Sequence, residues 1–194
     1  MLVVGLLHGS LGVYDDPMIM IVVSLGILYG ATMKIADLLN EHGLKWFKGS
    51  NLLFGVLWGL CGALLIVLTN PVVDSALVAM NVAFIIRNRL DYLNHQVAAS
   101  IVIVTGIAWG ELVAMPFLVF FFVFLIFGAL KDYADDVLHA KGLWALVNES
   151  MLYYPIPTLI YAIISGDWLP FAVFTAYMIA YNLTKIIAHK KGYG

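Results

Sequence analysis

From Gly49 to Val73 the chain carries no charged side chain, and the same holds from Pro17 to Met33, from Leu112 to Leu130 and from Trp168 to Thr184. Runs of this kind leave few options. A bilayer core about 30 Å thick asks for roughly 20 apolar residues per helix, and a soluble core rarely asks for so many in succession. Composition agrees: 63% of the 194 residues are hydrophobic and 11% are charged, against about a quarter charged in ordinary soluble domains. The chain reads as an all-α, polytopic membrane protein solvated by membrane lipid. A net charge of −2 offers no basic surface to nucleic acid. The single cysteine, Cys61, lies in an apolar run and reads as a small packed hydrophobe. The first residues, up to Pro17, have neither a basic leader nor a small-residue cleavage site, so they read as a retained helix.

Glycine, proline and charge divide the chain into eight candidate helices, at about 1–14, 17–40, 51–69, 72–93, 97–110, 116–139, 150–166 and 169–190. The first and fifth are short for a crossing, and half-helices are the alternative. Charge placement separates the two. With eight crossings, all ten Lys and Arg fall on one side, and Asp15, Asp16, Asp74, Glu111 and Asp167 fall on the other. With the short segments re-entrant, the basic residues divide evenly. The positive-inside bias favours eight crossings with both termini cytoplasmic.

The chain also repeats itself. Gly30-Ala31 matches Gly128-Ala129, Ala36-Asp37 matches Ala134-Asp135, Gly43-Leu44 matches Gly142-Leu143, and Pro71 matches Pro170. The offset stays at 98 or 99 residues (128 less 30, 170 less 71). Two halves of four helices, 1–95 and 96–194, would have the same orientation.

Ionisable stripes end four of the segments. In the second, Lys34, Asp37 and Glu41 share one helical face. In the sixth, Asp132, Asp135 and His139 have the same spacing, with Lys131 and Asp136 beside them. Surface pairing explains Lys34 with Asp37, but an ordinary boundary does not need three carboxylates within five residues. Such carboxylates face a polar cavity or a cation, and hard oxygen ligands beside phosphate suit magnesium. The fourth segment ends with Arg87, Asp91 and His95 spaced along one face, with Asn88 next to it, and the eighth with Asn182, Lys185 and His189. Arg87 and Arg89 suit bidentate contact with phosphate. Membrane anchoring is the competing account for Lys185. No Ser-His-Asp set, glycine-rich phosphate loop or cysteine metal motif is visible.

This layout resembles the UbiA-type intramembrane prenyltransferases, which have two related four-helix halves and Asp-rich motifs at the cytoplasmic ends of helices 2 and 6. Lys131-Asp132-Tyr-Ala-Asp135-Asp136-Val-Leu-His139 looks most like those motifs, with His139 in the place of the third Asp, and Lys34, Asp37 and Glu41 occupy the corresponding positions of the other helix. The resemblance implies a magnesium-dependent enzyme acting on an isoprenoid diphosphate. Asp37, Glu41, Asp132, Asp135 and Asp136 would hold the metal. Arg87, Lys131 and Lys34 would stabilise the departing diphosphate, and Arg89, Asn88, Lys185 and Asn182 would bind substrate. A two-repeat transporter and a non-catalytic scaffold are the alternatives. Ionisable groups gathered at one membrane face, not at mid-depth, favour the enzyme.

Overall fold

The structure, a computed structural model, describes residues 16–137 and 151–193. These form seven helices: α1 (Asp16–Glu41), α2 (Ser50–Leu68), α3 (Pro71–Ile86), α4 (Leu93–Ala108), α5 (Ala114–Asp136), α6 (Pro155–Ser165) and α7 (Leu169–Lys190). No strand occurs among the described residues. The expected first segment, with His8, lies outside them, as do His139 and Lys141. Four helices are long and apolar enough to cross a membrane: Pro17–Glu41, Ser50–Leu68, Ala114–Ala134 and Leu169–Lys190. The other three are shorter apolar helices. Large apolar side chains such as Ile107, Met115 and Ile164 stand more than two-thirds exposed, as an outer wall against lipid requires.

Buried α3 lies at the centre, touching α2, α4, α5 and α7. Its Ala76, Ala79 and Ala83 are completely buried, and their small side chains let neighbouring helices come close. Outside this core, α1 packs between α2 and α7, α2 also packs on α4, and α6 lies against α7. The α1–α7 contact depends on Gly26 and Gly30, four residues apart. A Cβ at Gly30 would run into the Tyr177 carbonyl oxygen, and one at Gly26 would lie 3.0 Å from the Val173 carbonyl oxygen. The two backbones therefore touch, which brings the last turns of both helices together.

One end of the bundle is closed by Asn70, Ser75 and two carboxylates. Asn70 Oδ1 accepts from the backbone N–H of Val72 and Val73 at the start of α3, with Pro71 at the first helical position. Its Nδ2 donates to Asp167 Oδ2 at 2.8 Å, tying the α2–α3 turn to the α6–α7 turn. Asp74 Oδ2 accepts from the Glu111 N–H at 3.0 Å and Ser75 Oγ from the Val113 N–H at 2.9 Å, which adds the α4–α5 turn.

The opposite end departs from expectation at one place. The fourth segment was expected to continue to about residue 93, with Arg87, Asp91 and His95 along one face. Instead α3 stops at Ile86. Asn88 takes a left-handed conformation, φ 55°. Arg89 N–H donates to the Phe84 carbonyl and Asn88 N–H to the Ile85 carbonyl. This is the Schellman closure, with asparagine where glycine is commoner. The next helix starts early, at Leu93, so His95 belongs to α4.

Replacing Gly30 by valine should lower stability by about 1–3 kcal/mol through overpacking, read from unfolding of the detergent-solubilised protein. Unchanged stability would mean that α1 and α7 do not meet backbone to backbone.

Candidate functional site

At the end of the bundle opposite the caps, a cavity of about 200 Å³ lies between α1, α2, α3, α4, α5 and α7. It brings together six of the residues expected from sequence: Asp37, Glu41, Arg87, Arg89, Lys131 and Asp132. Asp91 and His95 join them, and the apolar part of the wall includes Met33, Trp58 and Phe84.

The turn after α3 decides the charge geometry. By reversing the chain at Asn88, it sends two arginines toward α5. Arg87 donates from Nε and Nη2 to the two oxygens of Asp132, both at 2.9 Å, and Arg89 Nη2 lies 2.8 Å from Asp132 Oδ1. The Arg87 side chain is only 6% exposed. Burial works against its charge, but Tyr154, Tyr153 and Asp132 outweigh it, so the guanidinium pKa lies above its ordinary value. Its Nη1 is buried without a partner among the described residues. The guanidinium rests on Gly128 of α5, where a Cβ would collide with it.

A second ionic group, centred on Asp37, joins α1, α4 and α7. Tyr181 donates its hydroxyl to Asp37 Oδ2 at 2.8 Å. His95 Nε2 lies 3.2 Å from Oδ1 and Lys34 Nζ 3.7 Å from Oδ2. Lys34 is itself buried, with its ammonium 5.2 Å from the Tyr181 ring centre. Asn94 supports this arrangement: its Oδ1 accepts from Asn40 Nδ2 at 2.6 Å, and its Nδ2 reaches the Ala36 carbonyl oxygen at 3.4 Å. A Cβ at Gly55 of α2 would meet Asn94 at 2.5 Å, so that glycine lets α4 approach closely enough to place His95.

Other expected residues fall elsewhere. Lys34 stands behind Asp37 and does not line the cavity. Asn88 is exposed and serves the turn. Asn182 and Lys185 are half-buried on α7 outside the lining. The side chains of Asp135 and Asp136 lie outside the described residues. Tyr181, Asn40, Asn94 and the pairing of His95 with Asp37 escaped the sequence reading. The signal for Tyr181 was present: Tyr177, Tyr181 and Lys185 recur every four residues along one face of α7.

The expected magnesium can be tested against this chemistry. Both oxygens of Asp132 are occupied by arginine, and those of Asp37 by tyrosine, histidine and lysine. Among the described residues no group of three or more His, Cys, Asp or Glu is arranged to hold a metal ion. Asp37 and Asp132, with their oxygens engaged in this way, do not fit a resident magnesium ion. What the site presents is a mixed set of charges, Arg87, Arg89 and Lys131 with Asp37, Glu41, Asp91 and Asp132, beside apolar and aromatic surface. Comparisons with protein-family models, curated proteins and solved structures return no match to this chain.

Replacing Arg87 by leucine leaves Asp132 with Arg89 alone and should cost about 1–3 kcal/mol. The Arg87→Leu/Asp132→Leu double variant should recover most of that loss. Both are read from unfolding in detergent, and strictly additive losses would show that the fork contributes nothing.

Proposed function

We propose that the chain binds the diphosphate of an isoprenoid lipid at the cytoplasmic membrane face, as a distant relative of the UbiA-type prenyltransferases, and that prenyl transfer is its reaction. One observation carries this reading: Arg87, Arg89 and Lys131 line a single cavity that also has an apolar wall. Guanidinium forks match phosphate oxygens as they match carboxylate. A diphosphate entering here meets two arginines already pointed at an anion, so little orientation is left to arrange.

Each residue then has a task. Arg87 and Arg89 hold phosphate oxygens and, with Lys131, balance the charge that builds up as diphosphate departs. Trp58, Phe84 and Tyr154 offer aromatic surface to an allylic chain and to the positive charge developing on it. Asp37, fixed by Tyr181 and His95, keeps the α1 wall of the cavity ionic. No step is routed through magnesium, because Asp37 and Asp132 are engaged by cations and a hydroxyl within the chain.

The reading includes eight crossings in two repeats. Its support is the packing: the repeat pairs α1 with α5 and α3 with α7, so the α1–α7 contact is the counterpart of the α5–α3 contact, and both occur.

The test uses purified protein in nanodiscs and thermal unfolding with geranylgeranyl diphosphate, geranylgeraniol or inorganic diphosphate. Stabilisation is expected from the lipid diphosphate above either part alone. Arg89→Gln and Lys131→Gln should each weaken it about 10- to 100-fold, since a charge-assisted hydrogen bond contributes roughly 1.5–3 kcal/mol. Absence of stabilisation across chain lengths would sink the proposal. The response should persist in EDTA; its loss there would mean that the carboxylates regroup around a metal. Release of diphosphate on adding an acceptor separates transfer from binding.

A further inference from the structure

The connection between α1 and α2 contains two lysines around two large aromatic side chains, Lys45-Trp46-Phe47-Lys48. All four are exposed, Trp46 by 54% and Phe47 by 58%. Adjacent exposed aromatic surface marks a place of contact, and none of the four residues lines the cavity. From Gly43 to Val73 these lysines are the chain's only charged residues. Neither pairs with a carboxylate among the described residues, and the nearest carboxylate in sequence, Glu41, has His42 Nε2 4.0 Å from its Oε2.

The connection has a set shape. Gly43 takes φ 74°, and the Leu44 N–H donates to the Leu38 carbonyl oxygen at 3.1 Å, which closes α1. Gly49 takes φ 86°, and the Ser50 N–H donates to the Phe47 carbonyl oxygen at 3.1 Å, which turns the chain into α2. Asn51 Nδ2 donates to Asn40 Oδ1 at 3.2 Å across the base. The Trp46 ring lies edge-on to Phe54, with centroids 5.2 Å apart. Phe54 is four residues past Ser50, or ~6 Å along α2 at 1.5 Å per residue. The indole therefore folds back onto the flank of a helix long and apolar enough to cross a membrane, whose Leu53 and Leu57 are exposed as lipid-facing residues are.

These positions define a depth. Tryptophan at the end of a crossing helix sits where a bilayer changes from acyl chains to headgroups. Lysines on either side then stand at the level of the lipid phosphates, with their stems along the apolar boundary. A zwitterionic headgroup carries its own ammonium beside each phosphate, whereas an anionic one leaves a net negative charge for the lysines to meet. We propose that Lys45-Trp46-Phe47-Lys48 is a docking site for the headgroups of anionic phospholipids, with the two rings at the acyl boundary and the two ammonium groups on the phosphates. The fixed turns mean that little of the loop has to be ordered on contact. The site requires that α2 crosses a membrane, and it stands whether or not the cavity binds a diphosphate.

The test is tryptophan fluorescence of the full chain in bilayers of equal phosphatidylglycerol and phosphatidylcholine, with bromine on the chains of one lipid or of the other. The Trp46 signal is the difference between each protein and its Trp46→Phe counterpart, which keeps the other tryptophans. Brominated phosphatidylglycerol should quench Trp46 more strongly, with a relative association constant of about five for each lysine engaged. Lys45→Gln/Lys48→Gln should bring the two lipids to parity. Equal quenching by both lipids in the wild-type chain overturns the proposal, and so does a preference that survives in the double variant. Absence of quenching by either lipid would put Trp46 under protein, in this chain or another, and equally overturns it.

Discussion

Two arginines on one carboxylate hold the working end of this bundle together. Asp132 sits on the last turns of α5, and its partners come from the turn that ends α3. The α3–α5 side of the cavity follows from that junction. It fixes the distance between α3 and α5, it places Lys131 beside the arginines, and it leaves Arg87 Nη1 as a buried donor. The junction is possible because Gly128 offers no side chain beneath the guanidinium and because Asn88 accepts a left-handed backbone. An ion pair removed from water contributes little net stability, since desolvation cancels much of the attraction. Its effect here is positional: it holds the two guanidinium groups at fixed places between α3 and α5.

The same logic applies, more gently, around Asp37. A tyrosine hydroxyl, a histidine and a lysine from three helices meet one carboxylate. The two centres therefore differ in chemistry although each stands on an acidic stripe near the end of its helix. Asp132 is bound by permanent cations, whereas Asp37 is bound partly by groups that also exchange protons. Aligning the two acidic stripes treats them as equivalents, and the side chains around them make them unlike.

How much of this was legible beforehand depends on which physical effect wrote it. Uninterrupted apolar runs marked the helices, and α7 occupies the expected residues 169–190 because Pro170 and the closing lysines mark both ends. Clustered charge marked the right end of the bundle and six cavity residues. The break at Asn88 was not legible, because IIRNRLDYLNHQ keeps helical spacing throughout and asparagine signals a left-handed turn less clearly than glycine does. That single turn moved His95 to another helix and brought it to Asp37. The pairing of Asp132 with arginines from the turn after α3, and of Asp37 with His95 and Tyr181, is tertiary and has no local signature.

The two ends of the bundle are fastened by different forces. Asn70, Asp74, Ser75 and Asp167 close one end through short hydrogen bonds, chiefly to backbone, whereas full charges close the other. Dissolved ions weaken the attraction between partly exposed charges and leave hydrogen bonds to backbone almost untouched. Arg89, about a third exposed, is the member of the fork that salt reaches first. Salt therefore acts on one end of the bundle more than on the other.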